Sequence, residues 1–202
     1  MVASDPFRAG VLYEQETFEQ LTVEDPQLEG VRFVDCDFRS VALTGGHGGR
    51  SSWRGGTLTA VRLTGTSLAR STWLDTTVES SALSGCELYG GQLRRVRFER
   101  CLLDSLNLRD CRLQDVVLDD CTVRHLDLGG ARLTDVTFRD CTLERLDLTA
   151  ATLSRVDLRG SRLDIARGFD RLTGVTVDHA QVLDLAPAMA THLGLRVGDR
   201  PS

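Results

Sequence analysis

The six cysteines have the widest chemical reach of any residues in this 202-residue sequence: Cys36, Cys86, Cys101, Cys111, Cys121 and Cys141. As thiolates they could ligate zinc or exchange disulfides, and both chemistries need partners at short, fixed spacing. No CxxC pair occurs, and His47, His125, His179 and His192 stand at unrelated positions. Asp119 and Asp120 are adjacent carboxylates of the kind used in acid–base work, but no nucleophile, base and orienting group converge around them. The glycine run Gly45-Gly46-His47-Gly48-Gly49 neither follows a buried strand nor opens a helix, so it does not read as a phosphate-binding loop. These residues predict no catalytic, cofactor-binding or metal site. All six cysteines share one phase of a five-residue period, and that period says what positions them.

Stepping by five from Phe18 to Leu163 meets an apolar side chain at 29 of 30 positions, with Gly48 the exception. A second column two residues earlier holds smaller side chains, among them Val31, Cys36, Val41, Ser51, Val61, Cys101, Cys121, Ala131 and Cys141. A helix would carry a five-residue column right around its surface, and a long strand needs strict alternation. Short extended segments joined by corners satisfy both columns, because inward residues at i−2 and i obey strand alternation locally. The cysteines then read as small core residues beside the larger Leu and Phe column. Gly48, and Pro26 in the small column, predict irregular coils near the N-terminal end.

Segments such as Cys36-Asp37-Phe38-Arg39-Ser40, Leu126-Asp127-Leu128-Gly129-Gly130 and Val156-Asp157-Leu158-Arg159-Gly160 resemble the pentapeptide-repeat family. The resemblance covers about three-quarters of the chain. It implies an all-β solenoid, a right-handed quadrilateral β-helix in which four pentapeptides make one square coil. A coil of four requires a 20-residue echo, and the sequence carries it in Val96, Val116, Val136 and Val156 and in Cys101, Cys121 and Cys141. The expected organisation is a leader over 1–15, the β-helix of about seven and a half coils over 16–165, and a cap and tail over 166–202. At the usual strand spacing such a rod is about 36 Å long. Asp178 and Gln181 form a capping box for a short helix near 179–193, which Pro187 should break into two. Leu183, Leu185, Met189 and Leu193 are its candidate cap or dimer contacts, since family members are similar in dimerising through C-terminal elements.

All 24 basic residues are arginine, against 29 acids, for a net charge of −5, so no basic nucleic-acid footprint is present. The absence of an apolar run after Arg8, and of any 18-residue apolar stretch, predicts a cytoplasmic chain with no membrane span. Stepping by 20 sorts the charges onto four faces. One face carries the candidate acidic row Glu79, Glu99, Asp119, Asp120, Asp140 and Asp157, interleaved with Arg39, Arg97, Arg100, Arg139 and Arg159. Its neighbour carries four acids and seven arginines: Arg32, Arg54, Arg94, Arg95, Arg112, Arg132 and Arg155. The expected function is that of a non-enzymatic rod or scaffold that binds a protein partner, with possible homodimerisation. The resemblance also implies an alternative, a DNA mimic that binds gyrase or another topoisomerase and confers resistance to gyrase poisons. That role requires dense rows of carboxylates.

Overall fold

Each five-residue unit makes one straight side and one corner. In the computed structural model, which describes residues 6–196 and 198, a corner falls at every fifth residue from Gly10 to Gly160. All 31 corner residues have φ between 49° and 77°, and 22 of them are not glycine. In this left-handed region an L side chain crowds the following carbonyl, at a cost of roughly 1–2 kcal/mol. Glycine escapes the cost and Asp tolerates it, and these two types fill 17 of the 31 corners. None of the 31 is β-branched, Phe, Tyr or Trp. The turn absorbs the odd residue of each pentad, so the next side begins with its inward phase restored.

Four sides close one coil, and the coils stack in parallel with a constant offset of 20 residues. The first side stacks Leu12–Glu14, Arg32–Val34 and Ser52–Arg54 and then the longer strands Thr72–Glu79, Gln92–Glu99, Arg112–Asp119 and Arg132–Arg139. Those longer strands run through the corner and include the second side, which in the earlier coils is separate as Thr17–Glu19, Asp37–Arg39 and Thr57–Thr59. The third side is an eight-stranded sheet from Thr22–Glu24 to Arg162–Arg167. The fourth is held by single bridges such as Gln27↔His47 and Ser67↔Glu87. The result is a parallel β-solenoid of about eight turns with one C-terminal helix.

The core changes character along the axis. Its first coils are aromatic: Trp53 and Trp73 stack with ring centroids 4.9 Å apart, and Phe33 lies 4.5 Å from Trp53. Each buried indole needs an acceptor. Ser51 and Ser71, in the small column two residues earlier, supply it at 3.1 and 2.9 Å. Later coils are filled by Leu, with Leu128 and Leu133 almost fully buried.

Gly48 does not interrupt the rod. It is buried, it bonds the Ser67 carbonyl at 2.6 Å, and a Cβ there would lie 2.7 Å from Leu68 Cδ2 and 3.0 Å from Leu28 Cβ. The neighbouring leucines fill the space that a side chain at 48 would occupy, so the coil stays closed. Pro26 is likewise buried in its inward slot.

The two ends differ from the sequence expectation. The expected leader, of which residues 1–5 lie outside the described residues, contains the first rung: Leu12–Glu14 pairs with Arg32–Val34, and Phe7 is buried against Phe18 and Phe33. A plug of this kind is what an otherwise open first coil requires. At the other end pairing continues past 165 after a one-residue shift, with Leu146↔Ile165 and Val156↔Val175, and a short 3-10 turn at Phe169–Arg171 bridges the gap. The helix His179–His192 runs unbroken through Pro187, contrary to the expected break; the only intrahelical bond Pro forfeits is the one to the carbonyl four residues back. Of the expected tail, residues 197 and 199–202 lie outside the described residues.

The corner geometry can be tested at Ala60, exposed with φ 54°. Ala60→Val should lower stability by about 1–2 kcal/mol, and Ala60→Gly should not lower it, in urea melts.

Candidate functional site

The outward positions of the second face bring the expected acidic row together, and stacking by 20 residues sets arginines beside it. Glu79 is hydrogen-bonded by Arg100. Glu99 lies 3.4 Å from Arg97 and 3.7 Å from Arg100, and Asp119 lies 3.4 Å from Arg139. Asp157 pairs with Arg159 at 2.6 Å, and that guanidinium holds its carboxyl below the usual range. Asp120 and Asp140 sit at left-handed corners and form no ion pair with a described residue. The row is therefore mostly neutralised from within the same face. These pairs are exposed and individually contribute little stability. Their main effect is on the field that the face presents.

The neighbouring first face is different. Arg32, Arg54, Arg94, Arg112 and Arg132 are exposed on its flat part and form no ion pair among the described residues. Arg95 and Arg155, expected to belong with them, sit at the flanking corner and bind Asp75 and Asp135, each through two nitrogens.

The C-terminal helix closes the last coil by side-chain hydrogen bonds. Gln181 Nε2 donates to the carbonyls of Leu158 at 2.5 Å and Ser161 at 2.6 Å, and its Oε1 accepts from the Asp178 N–H. Asp178 in turn accepts from the N–H groups of Gln181 and Gly160. Edge groups of the final coil are thus bonded by two side chains of the helix cap. The sequence marks Gln181 as part of the capping box. Its role on the coil shows only when Ser161 is stepped by 20. Of the four expected contact residues, Leu185 is buried against the rod, whereas Leu183, Leu193 and Met189 are 75%, 70% and 39% exposed. Beneath the helix lies an apolar cavity of about 180 Å³ lined by Leu158, Ile165, Val177, Leu185 and Met189.

The six cysteines are unpaired and buried. Cys101, Cys121 and Cys141 stack in one column between Ser81 and Ser161, which occupy equivalent positions. Each side chain in this column donates to the carbonyl two residues back or to one 23 residues back, as Cys141 Sγ does toward Arg139 at 3.2 Å and Leu118 at 3.5 Å. Within the stack, hydrogen bonds shared with Cys121 push Cys101 and Cys141 up and favour the central sulfur. Burial pushes Cys86 and Cys111 up to about 11. Among the described residues no group of three or more His, Cys, Asp or Glu is arranged to hold a metal.

A family model described as a pentapeptide repeat region matches residues 91–167. Solved structures similar to this chain include HetL, a pentapeptide repeat protein involved in heterocyst differentiation regulation from the cyanobacterium Nostoc sp. strain PCC 7120. It is 16% identical, with 82% of this chain and 90% of that one covered and a TM-score of 0.35. Full-length QnrB1, a plasmid-mediated fluoroquinolone resistance protein, is 14% identical over 89% of this chain and 99% of its own, with a TM-score of 0.34. Rfr23, a pentapeptide repeat protein from the cyanobacterium Cyanothece 51142, is 16% identical over 79% and 88%, with a TM-score of 0.20. No curated protein matches the sequence.

The buried thiols predict an alkaline transition. Cys86 and Cys111 stay protonated in the fold up to about pH 11, whereas in the unfolded chain they ionise near their ordinary value of 9.0. The unfolded state then binds fewer protons, so stability present below pH 9 should fall between pH 9 and 11, by about 2–3 kcal/mol per thiol. The chain has no lysine to titrate in that window. Urea melts at stepped pH should show the fall, and Cys86→Ala with Cys111→Ala should make it smaller, the other raised thiols, Cys36, Cys101 and Cys141, keeping the remainder.

Proposed function

We propose that this chain, a pentapeptide-repeat protein, acts as a non-enzymatic protein-binding rod that pairs with a second copy through its C-terminal helix. The observation that carries the reading is the helix surface. Val182, Leu183, Met189 and Leu193 are 49%, 75%, 39% and 70% exposed, next to the apolar cavity over the last coil. Surface apolar side chains are ordinary when scattered, but here they cluster on one element at one end of the rod. An isologous contact between two such ends would bury them and leave both rods' faces open to partners. The six buried, unpaired thiols suit a reducing compartment such as the cytoplasm. Sedimentation should show a dimer that becomes a monomer in Leu183→Glu with Leu193→Glu, while the thermal midpoint of the rod changes little. A wild-type monomer at high concentration would remove the pairing.

A second reading, a DNA imitation directed at gyrase, rests on Asp120 and Asp140, because the other acids of the row are paired with arginine. A duplex presents one charge per roughly 1.7 Å of axis, far denser than two free carboxylates on adjacent coils. The purified protein should therefore leave gyrase supercoiling, with or without a quinolone, unchanged. Inhibition or rescue in that assay would establish the second reading.

A further inference from the structure

We infer that the flat first face is a docking surface for an acidic helix of a protein partner, engaged by Arg94, Arg112 and Arg132 with Arg54 and Arg32 extending the track. The inference rests on the binding-rod reading and assigns it a face and a charge. From Arg32 to Ser154 the outward positions of this face hold five arginines and no acid, the rest being Ser, Thr, Gln, Val and Leu.

The stacking register sets no acid directly on these arginines, although the corner carboxylate of Asp75 attracts both Arg54 and Arg94. Arg32 stacks on Ser52, Arg54 lies between Val34 and Leu74, and Arg94 between Leu74 and Gln114. Arg112 and Arg132 stack directly on one another, followed by Thr152. Like charges directly opposed across strands destabilise a sheet. On the second face the same 20-residue step sets Arg39 on Glu19 and Arg139 on Asp119. The nearest corner acids are partly committed, Asp75 to Arg95 and Asp135 to Arg155, while Asp35, Asp110 and Asp115 form no ion pair with a described residue. The flat part of the first face from residue 32 to 154 thus carries only positive charge, between acidic corners and beyond Glu14 on the first strand, on a chain whose net charge is −5.

Geometry and charge select the occupant. Arginines on successive coils are spaced by the strand separation, about 4.8 Å along the rod. An α-helix lying along the rod with one carboxylate per turn presents charge every 5.4 Å, and flexible arginine stems absorb the difference over three coils. Bidentate guanidinium pairing suits those carboxylates. A nucleic acid, with far denser charge, would meet repulsion from the net-negative rod and its acidic corners.

The test uses the full chain and a fluorescein-labelled helical peptide of about 20 residues with one Glu per turn on one side, read by anisotropy, with labelled duplex DNA as the second probe. The wild type should bind the peptide more tightly as salt falls, and R94E/R112E/R132E should weaken it at least about tenfold. R62E/R162E, on the third face, should leave binding unchanged. R112Q should raise the thermal midpoint by about 1–2 °C, because it relieves the stacked pair. If the charge-reversed triple variant fails to fold, R94Q/R112Q/R132Q replaces it. No peptide binding at about 1 mM, or equal binding by the triple variant, overturns the inference. Tighter binding of duplex DNA through the same arginines overturns the protein partner in favour of nucleic acid. The binding-rod reading survives either failure if wild type and triple variant still capture the same protein from a lysate.

Discussion

Every level of this structure depends on the left-handed corner at each fifth residue. A five-residue unit cannot keep one set of side chains inward by strand alternation alone, since five is odd. The corner supplies the correction, and it does so at Arg, Ser, Gln and Ala as well as at Gly and Asp. The 22 non-glycine corners carry a steric cost that the stacked backbone bonds and buried columns must exceed. Those bonds, such as Arg32 N to the Val11 carbonyl at 2.9 Å and Thr152 N to the Ala131 carbonyl at 2.9 Å, repeat from coil to coil with the same 20-residue step.

A constant step of 20 residues has an electrostatic consequence. Any two outward residues 20 apart become neighbours, so sequence charge pattern translates directly into ion pairs or their absence. On the second face Arg39 stacks on Glu19 and Arg139 on Asp119, and the directly stacked Glu79, Glu99 and Asp119 are met by Arg97, Arg100 and Arg139. On the first face, arginines meet Ser, Thr, Gln, Val, Leu or another arginine. A count of charges along the chain does not separate these outcomes; the register does. Within the acidic row Glu79, Glu99, Asp119 and Asp157 are paired in place and Asp120 and Asp140 form no ion pair with a described residue, while the flat part of the first face keeps five arginines without one.

Much of the fold was legible in the sequence because the apolar column is direct and strong. Leu128, Val136 and Cys141 are buried where the period places them. The ends were harder to read. Phe7 and Tyr13 close the first coil by ring packing and by a hydroxyl that donates to the Pro6 carbonyl, neither of which has a periodic signature. Gly48 looked like a defect because the column counts side chains, whereas the core counts volume, and Leu28 and Leu68 supply it. Gln181 was visible as a helix cap, but its bonds to Leu158 and Ser161 belong to the solenoid and appear only once the last coil is in place. The corner column was present all along, in the absence of β-branched residues and of Phe, Tyr and Trp at every fifth position from 10 to 160, a signal that hydrophobicity does not register.

The corner constraint is open to direct measurement by NMR, since a positive φ brings a residue's own amide and α protons close together. Strong intraresidue amide–α cross-peaks are expected at every fifth residue from Gly10 to Gly160, including Arg50 and Arg70 on either side of the glycine-rich coil, with weak ones at the strand positions between. Weak cross-peaks at Arg95, Asp115 and Arg155, or a break in the pattern between residues 45 and 60, would contradict a continuous square coil and with it the charge register that both faces depend on.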